Sequence, residues 1–298
     1  MNKIQHHKIP GPPTYPVLGS IEFYKVKNLH KTAELMLKKY GKFIRICPPL
    51  SSDVYYCTCD VDVIEDMLAR PETFPKIVGG KYNSLTHIRK TADRGLFTAH
   101  DHEELWAMAH RVLLPAFNRR AMKQYFAKMV ETTDELLQYL SDLNTNPCLV
   151  TDVMARVTSE TIAYAGFSTR FDSLQKAEKL PPFVKAMVHV LYDSGNVALN
   201  ALPSFCQPWK MFKRWQADRI VKNTVDTIIQ KRQTDLLHGR KVPNDILQLM
   251  LTTRDRVTNQ YLPHDNIRHQ LITFLIAGYE TTGVLLSYAL YELAQLKT

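Results

Sequence analysis

There is no apolar run at the N-terminus of this 298-residue chain: MNKIQHHKIPGPP is polar and proline-bearing, so neither a signal peptide nor a membrane anchor is read there, and the sequence reads as cytoplasmic. Five cysteines, at 47, 57, 59, 148 and 206, lack the paired spacings of a zinc site, and their odd number argues for reduced thiols. Cys57-Thr58-Cys59 falls in an alternating, strand-like run, where cysteine is an ordinary structural residue. No internal repeat, low-complexity tract or long linker interrupts the chain, which makes a single domain over residues 1–298 the economical reading. Nor do the basic residues gather. The formal net charge of +9 is spread without a basic stripe interleaved with aromatics, so nucleic acid is not an expected partner.

What is present is a globular balance, 45% hydrophobic and 22% charged. Residues 8–20, KIPGPPTYPVLGS, hold four prolines and two glycines and predict an extended, irregular lead-in. Asn28 to Tyr40 then spaces Leu29, Ala33, Leu37 and Tyr40 at helical intervals, with Gly41 in the usual terminating position. Two short runs rich in β-branched and aromatic residues, Lys42 to Cys47 and Val54 to Cys59, predict paired strands. From Val61 onward helical periodicity dominates, near 102–114, 119–141, 151–165, 181–198, 208–237 and 243–252. The expected fold is mainly α with a small N-terminal β-sheet.

The last segment predicts one long helix from Pro263-His264-Asp265, with Asp265 as its N-cap, towards Leu296. Leu271 to Ala277 is apolar on every face, the mark of a central core helix. A transmembrane reading is disfavoured by Glu280 at the midpoint, which would cost about 2.5–3.5 kcal/mol in a bilayer. Glu280, Thr281 and Thr282 admit a bland reading, in which the hydroxyls bond back to carbonyls one turn earlier and the acid reaches solvent. They also admit a chemical one. Ala277 and Gly278 remove bulk one turn before Thr281, leaving a shallow groove where a hydroxyl holds water and Glu280, about 100° around the axis, feeds it protons.

Ala277-Gly278-Tyr279-Glu280-Thr281-Thr282 on a long central helix resembles the oxygen-activation motif of the cytochrome P-450 haem-thiolate monooxygenases. Gly95-Leu96-Phe97-Thr98, His102-Glu103, Trp106, His110 and Leu113-Leu114-Pro115-Ala116-Phe117 are similar to the segment before and along that family's third main helix. The proline-rich lead-in and early sheet agree too, and the nearest likeness is to soluble fatty-acid hydroxylases fused to a flavin reductase. The resemblance implies haem b as cofactor, with FAD, FMN and NADPH acting through a reductase, fused or separate. It further implies Thr281 as the hydroxyl beside the reacting oxygen, Glu280 as the acid of a proton relay, and Ala277 and Gly278 as the groove above the haem. Trp106, His110 and Lys76 would hold the propionates. Phe97 would stand over the haem face, and Leu85, Ile88 and Ala92 would line an apolar substrate pocket.

The sequence also departs from the family. Pro48-Pro49-Leu50-Ser51-Ser52-Asp53 supplies no cation for a substrate carboxylate, although Tyr55 or Tyr56 is available, so a fatty acid is the leading expectation for the substrate rather than the only one. The family's Glu-x-x-Arg pair and its Phe-x-x-Gly-x-Arg-x-Cys-x-Gly loop are absent, and Arg45-Ile46-Cys47 does not substitute because it lies in a strand. A truncated fold without the thiolate ligand, inactive by itself, is therefore expected. The alternative is a non-catalytic helical module that binds an apolar ligand or a protein partner.

Overall fold

A computed structural model describes residues 9–24, 29–49, 53–76, 78, 84–143, 147–175, 180–195 and 208–296. The chain divides into two compact units, Met1–Thr86 with Asn196–Cys206, and His87–Gly195 with Gln207–Thr298. In the first unit α1 (Leu29–Tyr40) ends where Gly41 adopts φ 109°, its N–H donating to Leu37 O at 3.0 Å. Only glycine takes that backbone shape without strain. Strand β1 (Phe43–Ile46) pairs antiparallel with β2 (Tyr55–Thr58), Phe43 opposite Thr58 and Ile46 opposite Tyr55. Met36, Ile44 and Ile46 form the unit's core under Leu37, Tyr40, Tyr55 and Cys57.

The lead-in is irregular, with a tight turn at residues 16–18 closed by paired Tyr15 and Gly19, and it hydrogen-bonds to β1 and the residue after it. Arg45 N–H donates to Pro10 O at 2.9 Å and Ser20 N–H to Cys47 O at 2.7 Å. Helix α2 (Val61–Ala69) starts at Asp60, whose carboxylate accepts from Asp62 N–H. The four described cysteines, Cys47, Cys57, Cys59 and Cys148, are free thiols; Cys206 lies outside the described residues.

The second unit is helical. After α3 (Ser84–Ala92) come α4 (Glu104–Leu113), a 3-10 turn (Leu114–Phe117), α5 (Arg119–Leu143), α6 (Val150–Phe167), α7 (Pro182–Gly195), α8 (Pro208–Leu237), α9 (Ile246–Thr252) and α10 (His264–Gln295). The most enclosed element is α6, packed between α5 and α10, while α7 lies on α8. Burial on α10 covers Asn266 to Ile276 nearly all round, then narrows to Tyr279 and Gly283. The core-helix expectation therefore holds for its first half. Beyond Gly283 the helix exposes Val284, Leu285, Tyr288 and Tyr291. By length and composition alone it is also the one helix among the described residues that could cross a membrane. Its start corrects the expected cap. Pro263 occupies the N-cap position and Asp265 sits inside the first turn, 3.0 Å from Arg268, because proline's fixed φ already suits a helix entry.

Polar side chains clasp the end of α6. Arg232 on α8 donates to both carboxylate oxygens of Asp245 at 2.7 Å, and Asp245 also caps α9 through Gln248 N–H. Ser168, left-handed at the end of α6, donates to Asp245 at 2.7 Å and accepts from Lys128 of α5 at 2.7 Å. Nearby Glu160, 1% exposed, accepts from the N–H groups of Phe171 and Ser173. Burial pushes its carboxyl above the ordinary range against the pull of those bonds. Replacing Asp245 with Ala should cost about 3–5 kcal/mol in urea unfolding, because it strands a buried guanidinium. The double replacement Arg232→Met, Asp245→Leu should cost less than the single one; equal or greater loss would show that the ion pair is not what holds this corner.

Candidate functional site

The rotation of α10 is set where it crosses α6. A Cβ on Gly278 would lie 2.6 Å from Ile162 Cγ1, and one on Gly283 would lie 3.2 Å from Thr158 Oγ. The Thr158 hydroxyl stands 2.8 Å from both Met154 O on its own helix and Tyr279 O on α10, sharing its proton across the crossing. Gly278 thus admits a neighbouring helix rather than opening a groove to solvent, which corrects the reading of Ala277 and Gly278 as one cradle. Ala277 alone remains as the small residue on the open side.

With α10 held this way, Ala277 and Thr281 stand one turn apart on an exposed face that continues into Leu285 and Tyr288. Thr281 Oγ donates to Ala277 O at 2.7 Å, the local bond that the bland reading foresaw. Glu280 turns away from that face. It lines a cavity of about 180 Å³ with Asp152 and Ala155 of α6, Val188 of α7, and Gly283 and Ser287 further along α10. Half-buried there, its carboxyl is raised above the usual range by desolvation.

A second connection ties α4 to α10. Gly95 approaches α10 so closely that a Cβ would collide with the Thr273 hydroxyl. The next residue, Leu96, donates its N–H to Gln270 Oε1 at 2.9 Å and accepts from Trp106 Nε1 at 3.1 Å. Gln270 is fully buried and donates to Asn266 Oδ1 at 3.1 Å. Trp106 and His110 stack with ring centroids 5.1 Å apart and 14° between planes, so the four-residue spacing does place both on one face. Arg89 locks the same loop, donating to Thr98 O and Glu103 at 3.0 Å each.

Among the other expected residues, Phe97 is about half exposed, and Ile88 and Ala92 are buried. Leu85 belongs to α3, but its side chain lies outside the described residues. Lys76 is partly buried in the first unit, beyond α2. Sequence reasoning passed over Thr158, Ile162, Asp152 and Gln270. Only Gln270 carried a local signal, a second amide one turn after Asn266 at the edge of an apolar run.

Together these give an open helix face with a hydroxyl, an acid turned into the cavity behind it, and a stacked Trp–His pair on a helix tethered to α10. The chain belongs to the cytochrome P-450 family, whose model matches residues 9–298. It is 35% identical over 289 residues to the bifunctional cytochrome P-450/NADPH–P-450 reductase 2 of Bacillus subtilis strain 168, covering 96% of this chain and 26% of that protein. The corresponding bifunctional protein of Bacillus cereus is 33% identical over 287 residues, with coverage of 96% and 26%. A self-sufficient cytochrome P-450 monooxygenase of Aspergillus niger is 30% identical over 295 residues, covering 97% of this chain and 26% of its own length. The chain spans about a quarter of the length of these relatives.

The family implies haem. The side chains present fit one face and one edge of that group: Ala277 leaves space, Thr281 supplies a hydroxyl, and the exposed His110 imidazole offers a ring N–H. The Trp106 N–H is engaged by Leu96 O, so a propionate there would have to share or release it. For the opposite face the fit fails, since no cysteine in the 298 residues lies in the family's ligand loop.

Two substitutions check this geometry. Gly278→Ala should lower stability by about 1–3 kcal/mol through overpacking at Ile162, and Ile162→Ala should cost less in that background than in the wild type. A strictly additive pair would place the contact elsewhere. Because the folded protein disfavours ionised Glu280, that group weakens the fold as pH rises above the ordinary carboxylate range of about 4.5. Glu280→Gln should therefore raise thermal stability at neutral pH, and the advantage should shrink as pH falls below that range.

Proposed function

We propose that these residues are the N-terminal portion of a single haem monooxygenase domain whose complete form inserts one oxygen atom from dioxygen into a C–H bond of an apolar substrate, a fatty acid foremost. NADPH is the electron source through a flavoprotein reductase carrying FAD and FMN, and the setting is cytoplasmic. The open Ala277–Thr281 face carries the reading, because a stretch of helix this apolar is exposed with a hydroxyl at its centre. The similarity to bifunctional cytochrome P-450/NADPH–P-450 reductases supports the reductase.

When bound, haem supplies reductive activation of dioxygen. The chain's own part is positioning and proton supply. Ala277 keeps the face shallow, and Thr281, by turning its hydroxyl from Ala277 O, can hold a water at that face. Glu280 retains its proton more readily than an exposed carboxylate, which suits it to pass one through water and recover it from the cavity shared with Asp152. Phe97, half exposed, narrows the approach of an apolar substrate.

In a longer form that carries the Cys loop, Thr281→Ala should cut product formation by about 10²-fold or more, with haem content unchanged. The 298 residues alone, given haem and a reductant, should not show the carbon monoxide spectrum of thiolate-ligated haem; a clear thiolate spectrum would overturn the assignment of the missing ligand. A longer form that binds no haem would favour the non-catalytic helical module.

A further inference from the structure

The basic residues were expected to be scattered with no stretch interleaved with aromatics, but the first turns of α8, Trp209 to Trp215, are such a stretch. Trp209, Phe212 and Trp215 are 69%, 53% and 56% exposed, although each is large and apolar. They follow one another at three-residue intervals, and their rings form a continuous ladder with centroids 6.2 and 6.0 Å apart. At 100° per residue this ladder lies opposite Ala217, Val221 and Val225, the side by which α8 is buried. The rings are therefore not the edge of a core.

Cations frame them. The Lys213 ammonium lies 5.6 Å from the Trp209 ring centroid, and the Arg219 guanidinium lies 5.6 Å from that of Trp215. Between Pro208 and Lys222 there are five basic side chains against a single acid, Asp218, which is paired with Lys222 at 2.8 Å. A solvent-facing ladder of this size is costly in water. Its chemistry matches one surface: tryptophan and phenylalanine settle at the boundary between headgroups and acyl chains, and lysine or arginine alongside them meets anionic phosphates. Charge alone would suit an acidic protein as well, but three large rings on the convex side of a helix add nothing to such a partner unless a matching groove exists.

We propose that the N-terminal turns of α8 are a peripheral docking surface for an anionic lipid bilayer, with Trp209, Phe212 and Trp215 entering the interface and Lys213 and Arg219 bound to lipid phosphates. The helix lies on the membrane and does not span it. This surface is independent of the oxygen-activation reading, since no residue of the candidate site takes part.

The whole chain should co-sediment with vesicles of mixed phosphatidylglycerol and phosphatidylcholine, and much less with phosphatidylcholine alone. Raised salt should release it. Two of the three tryptophans lie in the ladder, so emission should shift to the blue on binding. Lys213→Gln with Arg219→Gln should weaken binding about thirtyfold, from about 1 kcal/mol per basic residue at an anionic surface. Trp209→Ser with Trp215→Ser should abolish it, while circular dichroism stays that of the wild type because both sites are exposed. No sedimentation at low salt, or binding unaffected by either pair of changes, would overturn the proposal. So would self-association abolished by the tryptophan changes without vesicle binding, or preference for a single-stranded oligonucleotide over vesicles with the same dependence on these residues.

Discussion

The distal geometry of this protein hangs on the close approach of α6 to α10. Two helices can come this near only where one of them has no side chain, and Gly278 and Gly283 provide that on successive turns of α10. The Thr158 hydroxyl then ties the helices through Tyr279 O, so α10 can neither slide nor rotate freely against its neighbour. Every position on α10 inherits its direction from this crossing. Glu280 faces the cavity beside α6, whereas Ala277 and Thr281 face outward. Turned by one residue, the helix would either carry Glu280 out to the exposed position of Thr281 or press it into the buried position of Tyr279.

The polar clasp at the far end of α6 complements that crossing. Lys128, Ser168, Asp245 and Arg232 come from α5, the end of α6, the start of α9 and the middle of α8, and they meet within hydrogen-bonding distance. Together they close a corner where four segments would otherwise leave buried charge and open carbonyls, including Phe167 O, which accepts from Arg232 at 3.1 Å. Rigidity at this corner and exposure along the second half of α10 belong to one chain. The first is satisfied among described residues, and the second leaves Val284, Leu285, Tyr288 and Tyr291 exposed.

What could be read from residues was local. Gly41 announced its helix end because positive φ is a property of one position, and the hairpin declared itself through alternation of β-branched and aromatic residues. Trp106 and His110 met as their spacing required. The class of the fold followed from periodicity, and the family from the motif on α10. Failures came where a partner distant in sequence decided the matter. Gly278 looked like empty space, and only Ile162, more than a hundred residues earlier, reveals that the space is filled. Asp265 looked like a cap because acids usually are, but Pro263 begins the helix two residues sooner. The enclosure of α6 was invisible, since Arg156, Thr158, Ser159 and Glu160 are polar and nevertheless buried. The aromatic ladder of α8 went unread because its exposure depends on which way the rings face on the helix.

Leu96 connects α4 to α10 with its peptide groups alone, receiving the Trp106 ring proton on its carbonyl and giving its own amide proton to Gln270. No atom of its side chain is involved. That node is accordingly indifferent to most evolutionary drift at position 96: any residue with an amide hydrogen reproduces it, and proline alone among the twenty cannot. A relative could thus reshape the side chain next to Phe97 while the spacing between Trp106 and α10 stayed as it is.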